Sequence, residues 1–497
     1  MSLSDTPVRS VAVVGGGIVG WSAAVALRRR VPDLAVTIVD SPPPPDALAD
    51  RIPHTLPSTI GFHDDLGLRE EDAVIRAGAA WRLGTLFEDW VEGAAPYIHA
   101  YGGYGRPFGT ASFHQHWVRA ALAGTAAPFD AHAPAAMLAR AGRFASPAQA
   151  ADPLLGGIQP GLVLDIDRYR TMLVAFARHL GVTVHAGAVA AVRLRGEDAF
   201  VEQLVLDDGG TVTADLVIDA SGPSAVVRAA LDGEWEEWRR WLRCDRLLTA
   251  EGDSEALAPL DRVTASRASW RWRTAAPGRT LHGICYAGDA QTDAAALAEL
   301  ELAGATTAAM PVSFHQGTRP RPWVGNCVAI GDAATVIEPL DFTNLHLAHS
   351  AIDRIVAMLP GRTCHPVELA EYNRQASAEV VRVRDFVLSH YATARRPGPF
   401  WQPPEALPES LARTLRLFAE RGRLPFFEEE TFARDDWLAV LLGQGLLPRR
   451  VDPLIDVTAP AESDRAMTAY RAAIAQAVAR CPTADHHHAM QRERLAR

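Results

Sequence analysis

Three glycines near the start of the chain have the spacing of a phosphate-binding turn. Gly15, Gly17 and Gly20 follow the apolar run Val11–Val14 and open an alanine-rich stretch with helical periodicity, residues 21–30. Such a turn needs glycine at three positions. The first glycine permits the tight turn, the second lets the backbone approach a pyrophosphate, and the third lets helix and strand pack closely. The spacing therefore predicts the first half of a βαβ dinucleotide site.

An acidic residue stands at the position that binds a nucleoside in such a unit. Asp40 ends the second apolar run, Val36–Val39, and lies 20 residues beyond Gly20. A carboxylate at this strand end binds a ribose hydroxyl, while the first helical amides, those of Ile18 and Val19, face the pyrophosphate. The segment predicts an adenine dinucleotide site.

Two later strand ends favour FAD over NAD. Residues 215–222 (DLVIDASG) form a buried strand that ends in small residues, as a strand end beside the adenosine half of a flavin requires. Gly331 and Asp332 follow another strand, and Asp332 either hydrogen-bonds the ribityl chain or caps the next helix. Since no second GxGxxG follows a strand, we expect FAD to arrive reduced, as FADH2, from a separate flavin reductase.

The composition limits the class of protein. The 497 residues are 48% hydrophobic with a net charge of -10, enough for a large core and unlike the basic face of a nucleic-acid-binding protein. Five scattered cysteines without a CxxC pair argue against disulfides and against a zinc site, so we predict no metal. The chain has no recognisable signal peptide and no apolar window of transmembrane length, which predicts a cytoplasmic protein without membrane contact. A monomer and a homodimer are both left open.

The pattern of elements predicts an α/β protein. We expect helices at residues 64–92, 167–180 and 368–391 and over most of the chain beyond residue 403, and strands at 182–185, 201–206, 216–218, 269–286 and 328–331.

The glycine turn continues into Trp21 as GGGIVGW, and the motifs that follow resemble the flavin-dependent tryptophan halogenase family almost from end to end. The resemblance implies a Rossmann-type FAD-binding flavoprotein monooxygenase fold with a mostly helical substrate module. On this basis we expect a box-like FAD-binding module at 1–360, with substrate-facing insertions near 61–160 and 231–320, and a helical substrate module at 361–497. The matching segments are 53–58 (PHTLPS), 81–90 (WRLGTLFEDW), 214–222, 242–245 (LRCD), 270–272 (WRW), 323–331 (WVGNCVAIG), 338–343 (EPLDFT), 384–391 (RDFVLSHY) and 399–401 (PFW).

The resemblance also implies catalytic positions, and here the chain departs from the family. Arg82 falls on the family's catalytic lysine and Asp341 on its catalytic glutamate. A guanidinium stays protonated and does not readily carry a halogen as an amine would, so Arg82 would steer an anion or hydrogen-bond the oxidant. Phe342 replaces a serine beside the expected halide positions, Thr343 and Asn344. The alternatives are a surface or salt-bridged Arg82 and a loop acid at 341 that caps the next helix.

Rings supply the expected substrate contacts. His99 and Tyr101 lie in an aromatic segment that lines the substrate pocket in the family, and Trp437 lies in a segment that resembles its substrate-gripping region. Phe342 is a fourth expected contact. Packing in the core is the alternative for these rings.

We therefore expect an FADH2-dependent monooxygenase of halogenase type that uses O2 to oxidise an electron-rich indole, pyrrole or phenol, free or carrier-bound, in biosynthesis. Asp341 would deprotonate the substrate. A genuine tryptophan or indole halogenase is the alternative, an NAD-dependent dehydrogenase is a further one, and participation of a halide is left open.

Overall fold

The computed structural model describes residues 6–147, 152–196 and 198–496, and the chain divides into two compact units. The first unit comprises Met1–Ala79, Leu164–Arg239 and Val312–Val381, and the second comprises Ala80–Val163, Arg240–Pro311 and Arg382–Arg497. Each unit contains residues from before and after position 360. The division into an FAD-binding module at 1–360 and a substrate module at 361–497 therefore stays a prediction.

The helices are distributed over the whole chain. In order they are α1 (Ile18–Arg30), α2 (Ser58–Leu66), α3 (Glu70–Arg76), α4 (Phe113–Leu122), α5 (Pro134–Arg140), α6 (Ile166–His179), α7 (Asp293–Leu302), α8 (Asn344–Ala357), α9 (Pro366–Thr393), α10 (Glu409–Arg421), α11 (Arg434–Gly443), α12 (Pro460–Ala479) and α13 (Ala484–Ala496).

The strands are mostly short. They are β1 (Ser10–Val14), β2 (Ala35–Asp40), β3 (Ala80–Arg82), β4 (Gly84–Glu88), β5 (Tyr97–Ala100), β6 (Gly161–Val163), β7 (Thr183–Ala186), β8 (Val189–Leu194), β9 (Val201–Leu206), β10 (Thr211–Val212), β11 (Leu216–Asp219), β12 (Glu236–Glu237), β13 (Arg246–Gly252), β14 (Asp261–Ala265), β15 (Ser269–Ala276), β16 (Arg279–Tyr286), β17 (Ala305–Ala308), β18 (Val312–Ser313), β19 (Gly317–Thr318), β20 (Trp323–Val324), β21 (Cys327–Ala329) and β22 (Thr335–Val336).

A six-stranded sheet forms the centre of the first unit, with the strand order β20-β21-β11-β1-β2-β7. Strand β1 pairs in parallel with β2 and with β11, and β11 pairs in parallel with β21. The four apolar residues of β1, Val11–Val14, are fully buried, as strands covered on both faces require. This arrangement confirms the predicted α/β fold of Rossmann type, and the carboxyl ends of β1, β2, β11 and β21 share one edge of the sheet.

A larger sheet organises the second unit, with β17, β13, β16, β15, β14, β4 and β5 side by side. Its longest contact is the antiparallel hairpin of β15 and β16, in which Trp272 pairs with Gly283 and Trp270 with Cys285. Both indoles are buried. The two tryptophans of the WRW motif therefore lie in the core of this sheet.

The helix predicted over residues 64–92 is only partly correct. Helix α3 ends at Arg76, and residues 80–82 and 84–88 are strands β3 and β4. Residues 80–87 are all buried, and a continuous buried run gives no alternation that would distinguish a strand from a helix. The long helix predicted at 368–391 is confirmed as α9, and the strand-like stretch 269–286 is the β15–β16 hairpin.

All five cysteines are buried thiols rather than members of disulfides. Among the described residues, no helix is both long enough and apolar enough to cross a bilayer, and no group of three or more His, Cys, Asp or Glu side chains could hold a metal ion.

The β15–β16 hairpin gives a first prediction about stability. A Cβ on Gly283 would lie 2.0 Å from the Trp272 ring, so Gly283→Ala should lower the free energy of unfolding by about 1–3 kcal/mol. Gly61 lies in α2, and a Cβ there would meet no atom within 4 Å, so Gly61→Ala should raise stability by up to about 1 kcal/mol. Melting temperatures measured by circular dichroism check both, and equal shifts for the two variants would contradict the packing argument.

Candidate functional site

The glycine turn between β1 and α1 brings three stretches of backbone into close contact. Gly15 has a φ of +124°, and a Cβ there would lie 2.3 Å from the carbonyl oxygen of Ala220, just beyond β11. A Cβ on Gly20 would lie 2.0 Å from the carbonyl oxygen of Gly15. Only glycine fits at either position, and the turn has the form that a dinucleotide-binding unit requires.

Asp40 stands at the end of β2 with two partners. Its Oδ1 atom accepts hydrogen bonds from the indole N–H of Trp21, at 3.3 Å, and from Arg170 Nη2, at 2.7 Å. Arg170 also donates from Nε to the carbonyl oxygen of Gly16, at 2.5 Å. Trp21, the tryptophan of the GGGIVGW motif, is fully buried. Its indole N–H helps to orient Asp40, the acid expected to bind a ribose.

The N-terminus of α1 already binds an anionic group of the chain itself. The Oδ1 atom of Asp50 accepts a hydrogen bond from the amide of Val19 at 3.3 Å, and the amide of Ile18 also bonds this carboxyl. A Cβ on Gly17 would lie 2.1 Å from the same oxygen. A carboxylate held by these amides shows that the turn accepts negative charge, so the residues present fit the pyrophosphate of FAD.

Gly331 and Asp332 face the same helix end from β21. A Cβ on Gly331, whose φ is +57°, would lie 3.0 Å from Val19 Cγ1. Asp332 Oδ2 accepts a hydrogen bond from the amide of Ala49 at 2.7 Å. Burial raises the pKa of Asp332 well above its usual range, and the nearby Asp50 acts in the same direction. The expected bond from Asp332 to a ribityl chain stays a prediction.

The turn before α8 is conformationally strained. Asp341 and Phe342 have φ angles of +60° and +58°, a region that costs a residue other than glycine about 1–3 kcal/mol. Phe342 is buried and stacks on His54, with 3.9 Å between ring centroids, and Asn344 Nδ2 donates to the carbonyl oxygen of Ile337 at 2.9 Å. Asp341, also buried, is therefore held by its surroundings in a conformation that free chain avoids.

The expected role of Thr343 and Asn344 at a halide stays a prediction. Thr343 is the N-cap residue of α8, and Asn344 is its first residue. Strain of this kind clusters at functional sites, which agrees with the role predicted for Asp341.

In the second unit, Arg82 is a completely buried member of an ion pair. Its Nε and Nη2 atoms lie 2.6 and 2.5 Å from Asp261 Oδ2 on β14, and Nη2 also donates to Thr85 Oγ1 at 3.1 Å. Thr274 donates to the other carboxylate oxygen of Asp261 at 2.7 Å. Of the alternatives weighed for Arg82, the salt-bridged arginine is the one that this geometry presents, and its catalytic role stays a prediction.

A chain of ring contacts connects Arg82 to the other expected substrate residues of this unit. The Arg82 guanidinium carbon lies 5.1 Å from the centroid of Tyr101, which meets His99 edge to face at 5.8 Å. The His99 ring lies 5.6 Å from Phe386, which meets Trp437 edge to face at 5.0 Å. Four residues predicted from three segments of the sequence thus belong to one cluster, which Phe386 completes.

The His99 ring has an acidic partner in α11. Its Nε2 atom lies 3.0 Å from Asp436 Oδ1, and the other oxygen of Asp436 accepts from the amide of Ala433 at the start of the helix. The sequence did not predict Asp436 as a site residue, nor Asp50, Asp261 and Arg170. Each of these four side chains contacts a predicted site residue that lies far away in the chain. The one local signal for Asp436 is the pair of adjacent acids at 435–436, which is typical of the first turn of a helix.

A cavity of about 640 Å³ in the second unit lies beside β5, the strand that carries His99. Tyr97, Ile98, Trp117, Phe129 and Leu442 line it, together with the ion pair of Asp130 and Arg140. His99, Tyr101 and Trp437 are not among its lining residues.

Known proteins resemble this chain over nearly its full length. Residues 10–460 match the model of the tryptophan halogenase family. The structure of BrvH, a flavin-dependent halogenase from Brevundimonas sp. BAL3, is 34% identical and covers 97% of this chain and 99% of its own, with a TM-score of 0.91. Xcc4156, a flavin-dependent halogenase from Xanthomonas campestris, is 32% identical over 97% of this chain and 98% of its own, with a TM-score of 0.90. Tryptophan 7-halogenase KtzQ of Kutzneria sp. (strain 744) is 25% identical over 97% of this chain and 98% of its own.

The buried ion pair gives a second prediction. Asp261→Ala should lower the free energy of unfolding by about 3–5 kcal/mol, because it leaves the guanidinium of Arg82 buried without its carboxylate. The double variant Arg82→Met with Asp261→Leu should recover most of that loss, since both charges are removed together. Chemical unfolding measures both, and a double variant no more stable than Asp261→Ala would contradict the pairing.

Proposed function

Because the chain belongs to the tryptophan halogenase family, we propose that it is a flavin-dependent halogenase that acts on an electron-rich heteroaromatic substrate such as an indole. The full-length match to that family carries the proposal, supported by identities above 30% to two flavin-dependent halogenases. The match favours the halogenase, which was the alternative expected from the sequence, over the general monooxygenase that was expected first and over the NAD-dependent dehydrogenase, the further alternative.

The first unit would supply the residues for the cofactor. Gly15, Gly17 and Gly20, with the amides of Ile18 and Val19, would hold the pyrophosphate of FAD. Asp40 would bind the adenosine ribose and Asp332 the ribityl chain, while Gly331 leaves the backbone close to α1. When bound and reduced by a separate flavin reductase, FAD supplies the electrons that activate dioxygen.

The remaining site residues would act on the substrate and the halide. Asp341 would take a proton from the substrate N–H, which raises the electron density of the ring. Thr343 and Asn344 would lie at the halide, with Phe342 beside them. His99, Tyr101 and Trp437 would contact the ring by stacking or edge-to-face packing.

Arg82 favours oxygenation of the same substrate without halide as the second candidate function. Its ion pair with Asp261 stabilises the protonated guanidinium, which has no lone pair to capture an electrophilic halogen. Arg82 can donate hydrogen bonds to an oxidant but cannot carry the halogen as an amine does. The two candidates therefore differ in whether a halide is consumed.

Turnover with and without bromide tests the proposed function. With a flavin reductase, FAD, NADH and oxygen, we expect bromide to give a singly brominated product from indole, pyrrole or phenol, detected by its isotope pattern in mass spectrometry. Bromide-free buffer is the control. Oxygenated product at the same rate in both buffers would contradict halogenation and establish the second candidate.

A pair of variants at Asp341 tests the proposed base. Asp341→Asn should lower kcat by about 100-fold or more, because the amide cannot accept the substrate proton. Asp341→Glu retains a carboxylate and should keep most of the activity. The two variants are compared by steady-state bromination, and similar losses for both would contradict a role as base.

A further inference from the structure

Asp50 occupies the part of the glycine turn that a pyrophosphate would need. It ends a short 3-10 helix, Leu48–Asp50, and its Oδ1 atom accepts a hydrogen bond from the Val19 amide. All three carboxyl atoms lie 2.1–2.5 Å from where a Cβ of Gly17 would stand. Because Gly17 has no side chain, the carboxyl of Asp50 occupies the space where a Cβ would otherwise lie.

The segment that carries Asp50 is anchored. Leu48, Ala49 and Asp50 are all buried, and the amide of Ala49 donates to Asp332 Oδ2 at 2.7 Å. Asp332 belongs to the turn after β21, so the amide immediately before Asp50 is tied to the central sheet. Asp50 therefore reaches the helix end from a fixed backbone rather than from a free surface loop.

The helix end provides a reason for this contact. The first turn of α1 contains no acidic residue, and its N-terminal amides have no partners within the helix. A carboxylate satisfies them in the same way as the phosphate oxygens of a dinucleotide would. Two anions cannot share these amides, because they would overlap and repel each other.

We propose that Asp50 competes with the cofactor for this turn: its carboxylate binds the α1 amides in the free protein, and FAD binds to the form in which this carboxyl carries a proton. The inference rests on the proposed assignment of FAD to the glycine turn. A carboxylate that left the amides while its segment stayed buried would lose its partners at high cost, whereas a neutral carboxyl can turn aside.

The charges around Asp50 make proton uptake accessible near neutral pH. Burial raises the pKa of Asp50 to about 6, against the opposing effects of the Val19 and Ile18 amides, Arg170 on α6 and the adjacent Arg51. Asp332, on the turn after β21, is the acid that faces it. Asp50 is thus charged above about pH 6 and neutral below it.

The sign of the pH dependence follows from proton linkage. If FAD binding requires a proton on Asp50, binding takes up a proton wherever the free protein is deprotonated, and affinity falls as the pH rises. Above the pKa of about 6 the dissociation constant should increase by up to tenfold per pH unit.

The experiment is a titration of the whole protein with oxidised FAD at about pH 6 and about pH 8, followed by quenching of flavin fluorescence. We expect wild type to bind about 10- to 100-fold more weakly at the higher pH. Asp50→Asn keeps the shape but removes the charge, and it should bind at the higher pH as tightly as wild type does at the lower, with little pH dependence.

Asp46→Asn is the matched control, because it removes one negative charge from the same segment without touching the α1 amides. It should follow wild type within about threefold at both pH values. Equal affinity and equal pH dependence in wild type and Asp50→Asn would overturn the competition while leaving the cofactor assignment intact. Absence of FAD binding to all three proteins at both pH values would overturn both. If the Asp50→Asn variant does not fold, the wild-type series still decides, because an affinity that does not fall between the two pH values overturns the competition.

Discussion

The close approach of three backbones at the β1–α1 turn is the constraint on which the first unit depends. Gly15 lies against Ala220 at the end of β11, and Gly20 lies against Gly15, with no room for a Cβ at either glycine. These contacts place α1 directly on the carboxyl edge of the parallel sheet. The buried Trp21 then reaches Asp40 at the neighbouring strand end, so one turn orients the helix, the second strand and the acid expected to bind a ribose.

The same turn creates an electrostatic requirement that the rest of the unit meets. A buried helix N-terminus needs acceptors for its amides, and α1 has no acid of its own in its first turn. Asp50 supplies the acceptor, while Asp332 holds the backbone amide just before it. Burial raises the pKa of both acids, and the charge of Asp50 raises that of Asp332 further.

The second unit places its charge differently. Arg82 and Asp261 form a buried pair completed by Thr85 and Thr274, an arrangement that contributes little net stability but penalises any change in one partner. The guanidinium lies beside Tyr101, from which ring contacts continue to His99 and on through Phe386 to Trp437. Arg82 therefore lies at one end of this series of rings, and its guanidinium cannot carry a halogen as a lysine amine would.

The sequence alone determined the parts of this protein that follow local rules. The GxGxxG spacing with Asp40 predicted the βαβ unit, because turn glycines and strand ends act over a few residues, and the order of motifs predicted the family. Tertiary structure decided what depends on distant partners. Residues 80–82 and 84–88 are strands, which the sequence could not distinguish from a helix because a continuous buried run has no period. Arg82 is a member of an ion pair through Asp261, 179 positions away. Asp50 shows the same limit, since nothing beside it in the chain indicates that a helix begun 32 residues earlier would present its amides to that carboxylate.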